Sequence, residues 1–182
     1  LEMVTATLDA MAAGGIRDHL GGGFHRYSTD ARWHVPHFEK MLYDNAQLLD
    51  VYARAWRITE KPLYREVAEG VVRYLDSTLT DPDTGLLYSA QSALVDEEEG
   101  QSYIWTPQQV EAALDDEQRI EVAKRVYGID GEADLEGAHV LHRSQSYQQI
   151  ASGLDGLDAG DIEAMHATID AALLAARNNR EQ

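Results

Sequence analysis

The sequence predicts a mainly α-helical chain in which paired helices are joined by loops carrying short β-hairpins, the grammar of a helical toroid. Three observations predict it. Apolar residues recur at three- and four-residue steps over several stretches. Glycine- and proline-rich breaks separate those stretches. Strand and helix signals do not alternate in the way that builds a parallel sheet.

Met3, Val4, Leu8 and Met11 follow helical spacing from the first residues, and because the chain opens at Leu1 we expect it to begin inside a helix. Gly14-Gly15 ends that spacing. The triple Gly21-Gly22-Gly23 permits backbone conformations that side chains forbid, so something should pass close to it. Residues 24–28 and 33–35 are short β-prone runs around Thr29-Asp30-Ala31-Arg32, an expected hairpin. Pro36 suits the first turn of a helix over residues 37–58, whose stripe holds Phe38, Met41, Leu42, Leu48, Leu49, Tyr52 and Trp56. Thr59-Glu60-Lys61-Pro62 closes this helix and opens another, with Leu63, Val67, Val71, Tyr74 and Leu75 on its buried face.

Asp81-Pro82-Asp83-Thr84-Gly85 is a turn, since Pro fixes φ, Asp bonds the backbone and Gly accepts positive φ. Residues 85–90 and 102–105 are expected to form a second hairpin across the acidic loop of residues 96–100. Thr106-Pro107-Gln108-Gln109 starts a helix with a capping Thr, Pro at the first helical position and Gln at the third. Another runs over about residues 116–127, stopped by Gly128. Residues 129–143 read as irregular. The last helix places Ile162, Met165, Ile169, Leu173 and Ala176 on one side.

Composition narrows the function classes. At 182 residues the chain has the size of one domain, with 44% apolar residues, no run of bilayer length and no leader-like start. We expect a soluble, cytoplasmic protein. The absence of cysteine excludes a thiolate nucleophile or thiolate metal site in this chain. The 32 acidic residues against 15 basic ones give a net charge of −17, which repels nucleic acid and anionic lipid surfaces. Lys40, Lys61 and Lys124 are the only lysines. A salt-adapted source and a GC-rich genome with ordinary acidic faces explain that bias equally well.

The chemistry concentrates in residues 14–45, GGIRDHLGGGFHRYSTDARWHVPHFEKMLYDN. On the expected helix, His37, Lys40 and Asp44 offer a proton carrier beside an ion pair, with the helix dipole favouring neutral His37. The competing reading is a surface Lys40–Asp44 pair with His37 as a cap. His34 and His37 with Glu39 do not make a metal site, because the intervening Pro36 prevents one-face pairing and no third ligand is spaced for it. His19 and His25 flank the glycine loop and reach a ligand or simply bond their surroundings. Tyr27, Trp33, Tyr43, Tyr103 and Trp105 supply faces that stack on sugar rings, and Arg26, Asp30, Asp44 and Gln91 supply partners for hydroxyls. Each aromatic is equally at home in a core. Neither a dinucleotide fingerprint nor Gly-x-Ser-x-Gly is present, and no cofactor is implied.

The long HFEKMLYDN block, with YSAQ, EEG, YIWTPQQV and EG..VLH after it, resembles the thioredoxin domain-containing proteins of the spermatogenesis-associated type. The resemblance spans nearly the whole chain. It implies an N-terminal thioredoxin-like domain followed by an (α/α)6 barrel similar to N-acylglucosamine 2-epimerase and six-hairpin glycosidases. Residues 1–182 would then be a single segment, the first part of that barrel, without the thioredoxin-like domain or the rest of the barrel. Two departures stand out: Ser92-Ala93-Leu94 replaces an acidic Asp-Ala-Asp, and His19 replaces a usual Gln. By fold analogy the resemblance implies a sugar-like small-molecule ligand and an epimerase- or isomerase-like reaction, with oligomers open. His37, His25, Glu39 and Asp44 are the catalytic candidates, and Arg26, Trp33, Tyr43, Gln91 and Trp105 the substrate-binding ones. The rival expectation is a non-catalytic barrel serving as an interdomain scaffold.

Overall fold

A computed structural model describes residues 2–95, 98–135 and 137–180. About 51% of the chain is helical, and the strands are two-residue antiparallel pairs. The chain divides into two compact units, residues 1–101 and 102–182.

The first unit is built on three helices: α1 (Glu2–Ala13), α2 (Leu42–Thr59) and α3 (Pro62–Tyr74). In α1 the periodic Leu8 is buried with Ala12, whereas Met3 and Val4 are exposed. The αα-turn between α2 and α3 follows the expected punctuation: Glu60 takes the left-handed conformation and returns its N–H to Trp56 at 2.7 Å, and Pro62 opens α3. Along α3 the residues Tyr64, Val67, Ala68, Val71 and Tyr74 form one buried stripe, flanked by half-buried Leu63 and Leu75. Tyr64, Val67, Ala68 and Val71, with Leu63 and Leu75, pack on Leu8, Ala12, Ile16, Phe24, Tyr52 and Ala55. Phe24, the residue after the glycine loop, stacks on Tyr52 at 5.5 Å, so the loop is anchored by its own aromatic plug. A single π-turn (Leu75–Leu79) follows α3.

The expected helix over residues 37–58 starts later, at Leu42. Strand β1 (Tyr27–Ser28) pairs with β2 (Pro36–His37), and β3 (Lys40–Met41) pairs with β4 (Ala90–Gln91). Residues 36–41 are thus held extended from both sides, which overrides the helix signal of Pro36. The first hairpin exists, but its second arm is β2 rather than residues 33–35. There Asp30 accepts backbone N–H groups from Arg32, His34 and Val35, and Trp33 takes a positive φ of 62°. Burial works against the Asp30 charge, yet those three N–H groups hold its carboxyl below the ordinary range.

The expected second hairpin is also re-partnered. Residues 80–88 fold on themselves around the Asp81 turn, Thr80 bridging Leu87 and Gly85 at φ 69°. Strand β5 (Leu94–Val95) pairs with β6 (Glu98–Glu99), and Asp96 and Glu97 of the acidic loop lie outside the described residues.

The second unit joins β7 (Ile104–Trp105) to β8 (His139–Val140) beneath four helices, α4 (Pro107–Ala113), α5 (Glu117–Val126), α6 (Tyr147–Ala151) and α7 (Ala159–Asn178). Thr106 and Gln109 complete a capping box at α4, and Gly128 turns the chain after α5 at φ 67°. Val110, Val122, Val126, Ile150, Ile162, Ile169 and Leu173 form its buried core. Met165 and Ala176 are less buried than expected, because His166 and Arg177 take inward positions on α7.

Candidate functional site

The glycine loop is closely approached, and what approaches it is protein. A Cβ on Gly22, at φ 79°, would lie 2.2 Å from the carbonyl oxygen of Gly70 on α3. One on Gly23 would meet the Tyr74 ring at 2.5 Å. The loop is closed by Asp18, whose Oδ1 accepts the N–H groups of Leu20 and Gly21 and whose Oδ2 receives the Lys40 ammonium at 2.7 Å. Lys40 also donates to the Gly22 carbonyl at 2.9 Å and lies 4.4 Å from the Tyr74 ring centroid. Lys40 is therefore a buried strut, and its expected helical pairing with Asp44 does not form. Asn45 completes the brace: its Oδ1 accepts from Phe24 N at 2.7 Å, and its Nδ2 donates to the carbonyls of Phe24 and Met41.

Against this brace stands a cleft of roughly 290 Å³. Met11, Ile16 and Leu48 give it an apolar lining, Tyr27 and Trp33 give it rings, and His25, Arg26, Asp44 and Gln47 give it polar groups. Trp33 lines it from a backbone position at φ 62°. His25 is buried; its Nδ1–H donates to the Phe38 carbonyl at 2.9 Å, which fixes Nε2 as the acceptor nitrogen of the neutral ring. Asp44 lies in the first turn of α2, and its Oδ2 is buried with no hydrogen-bond partner among the described residues. Burial pushes its carboxyl above the ordinary range; Arg26 opposes that push and Glu39 adds to it.

Arg26 and Glu39 form an ion pair at 2.9 Å, which holds the guanidinium above its ordinary value with help from Tyr43. Tyr43 itself is half exposed. His37 is not at a helix N-terminus; it stacks on Tyr27 at 5.1 Å, and its Nδ1 meets Glu99 Oε1 at 2.5 Å. Its Nε2 is 3.8 Å from Glu39. Gln91 faces Lys40 across the β3–β4 ladder, its Oε1 buried and without a hydrogen-bond partner among the described residues. Trp105 is in the second unit, buried in that core with Arg180 stacked 3.8 Å from its ring centroid. His19 bonds the Gly14 carbonyl at 3.0 Å, and Ser92 accepts the Leu94 N–H. Among the described residues no group of three or more His, Asp or Glu side chains is arranged to hold a metal ion.

Structure thus gathers His25, Arg26, Trp33 and Asp44 around one cleft, with Glu39, His37 and Tyr43 beside Arg26. Sequence reasoning missed the Asp18–Lys40 and Asn45 braces, whose partners are remote in the chain. It also missed Gln47, one turn beyond Tyr43 on α2. No described helix is long and apolar enough to cross a membrane.

No family model matches the chain. It is 37% identical to human spermatogenesis-associated protein 20 over 196 aligned positions, covering 94% of this chain and 24% of that protein. The mouse protein of the same name is 48% identical over 119 residues, 62% of this chain and 15% of its relative. An uncharacterized protein of Caenorhabditis elegans is 44% identical over 93 residues, half of this chain and 12% of that protein. The chain spans a quarter or less of the length of these relatives, and it is homologous to one segment of the proteins named spermatogenesis-associated protein 20.

Proposed function

We propose that the chain is the first part of a carbohydrate-active (α/α)6 barrel, within a longer protein that also carries a thioredoxin-like domain, and that its first unit binds a sugar-like small molecule. The observation that carries this reading is Asp44: a buried carboxyl oxygen without a partner in a cleft walled by aromatic rings and basic groups. A hydroxyl or carbonyl of the ligand supplies the missing partner. Raised toward its neutral form, Asp44 donates a proton as Nε2 of His25 takes one, the pairing that epimerisation or isomerisation beside a carbonyl requires. Arg26 steadies the oxygen on which charge develops, and Trp33 offers its face to the ring. Glu39 holds Arg26 in place through Oε2, with His37 Nε2 3.8 Å from the same oxygen.

The test is titration calorimetry of the intact protein against a panel of aldoses, ketoses and N-acyl hexosamines, with turnover followed by NMR. We expect Asp44→Asn and His25→Gln to lose turnover at least a hundredfold while melting within a few degrees of wild type. Unchanged binding and turnover in both variants, or no binding by wild type at millimolar sugar, overturns the reading.

A second reading has one observation in its favour. Lys40, Asp18, Asn45 and the glycine loop are all engaged in internal packing, as they would be in a non-catalytic interdomain scaffold. That reading predicts that Asp44→Asn leaves every ligand measurement unchanged.

A further inference from the structure

The second unit contains a chain of side-chain hydrogen bonds that the cleft does not use. Tyr147 opens α6, and its hydroxyl is 2.7 Å from Nδ1 of His166 on α7. Nε2 of the same ring is 3.1 Å from Asp170 Oδ1 and 3.0 Å from the Tyr127 hydroxyl. Tyr127 also donates to Asp170. His166 and Tyr127 are buried, while Tyr147 and Asp170 are partly exposed. The Arg143 guanidinium stands 5.0 Å from the Tyr147 ring centroid.

Chemistry fixes the direction of these bonds. The Tyr127 hydroxyl gives its one hydrogen to Asp170, so its oxygen accepts from Nε2, which carries the hydrogen of the neutral imidazole. Nδ1 is then the acceptor, and the Tyr147 hydroxyl donates to it. The order Asp170, Tyr127, His166, Tyr147 is a carboxylate orienting, through one hydroxyl, a base that in turn holds another, the logic by which weak nucleophiles are activated. Asp170 Oδ1 also lies 3.1 Å from Nε2, close enough to stabilise a charged ring. Arg143 places positive charge on the ring that would become a phenolate.

We propose that Tyr147 is an activated phenol, a site that accepts an acyl group from activated esters. In the step, Tyr147 Oη bonds to the carbonyl carbon and the bond from that carbon to the leaving alkoxide or phenolate breaks. The phenolic proton passes to Nδ1 of His166. The imidazolium so formed is stabilised by Asp170 and then gives its proton to the departing oxygen. The result is acyl-Tyr147 and an alcohol or phenol.

The experiment treats the intact protein with p-nitrophenyl acetate and follows site-resolved acetylation by peptide mass spectrometry. Tyr27 and Tyr43, at 50% and 48% exposure, serve as internal references. Tyr147 is expected to acetylate at least about tenfold faster than either, a threshold set below the ~10²- to 10⁴-fold that a positioned base supplies. His166→Gln and Asp170→Asn should bring it down to the reference rate. Circular dichroism and the rates at Tyr27 and Tyr43 show whether each variant is folded. Labelling of Tyr147 no faster than the references in wild type overturns the proposal without recourse to a variant. So does an undiminished rate in a folded His166→Gln protein. Neither outcome depends on sugar binding by the first unit.

Discussion

The Lys40 ammonium is almost wholly removed from water, and its compensation is specific: one carboxylate oxygen of Asp18, one carbonyl of Gly22 and the face of Tyr74. Lys40→Met leaves Asp18 with a buried charge, and Asp18→Asn leaves Lys40 with one; each should lower stability by about 3–5 kcal/mol in urea titrations. Gly22→Ala combines a positive φ with a 2.2 Å approach to backbone, and should cost about as much as a poorly tolerated core substitution, roughly 3 kcal/mol or more, on the same assay. Asp81 supplies a pH dependence. Bonds from Tyr88, Thr84 and the backbone hold its carboxyl at about 2 in the fold, below its ordinary 3.8. Its folded value is depressed, so its contribution is present above the ordinary value and fades as pH falls from about 4 towards 2. Tyr88→Phe should flatten that part of a stability profile.

Helices declare themselves locally, and strand partners do not. The α4 start could be read from Thr106, Pro107 and Gln109 because a capping box is complete within four residues. Thr106→Ala should cost about 1 kcal/mol, measured by thermal melting. Ser146 and Gln149 carry the same signal at α6, but the helix they open is only five residues long and has no apolar periodicity to mark it. Pro36 misled for the opposite reason. Its local preference suits a helix start, yet residues 36–41 lie between β1 and β4, and pairing with residue 91 leaves no trace in the window around residue 40. The candidate site shows the same split. That residues 14–45 were dense in chemistry was visible from composition. That His37 turns to Glu99, Lys40 to Asp18 and an Asp44 oxygen is left without a partner among the described residues could come only from tertiary packing.

Over the whole molecule, electrostatics work against compaction. A net charge of −17 on 182 residues means self-repulsion that mobile ions screen within about 8–10 Å at 0.10–0.15 M salt. The melting temperature should therefore rise with NaCl between 10 mM and 1 M, and level off as screening saturates. A flat or falling curve would show that the acidic faces are already neutralised by internal pairs. The several i,i+4 pairs, such as Arg54–Asp50, Arg65–Glu69 and Arg125–Glu121, are too solvent-exposed to reverse the trend.

The β3–β4 ladder also sets an order in time. Lys40–Met41 and Ala90–Gln91 are separated by all of α2, α3 and the Asp81 turn. Closing that long connection early is entropically unfavourable, whereas the α2–α3 hairpin forms from neighbours. The cleft beside β3 is thus assembled on the downhill side of the folding barrier. Substitutions there should mainly speed unfolding, with kinetic φ-values near zero, and those at the α2–α3 contact should slow folding.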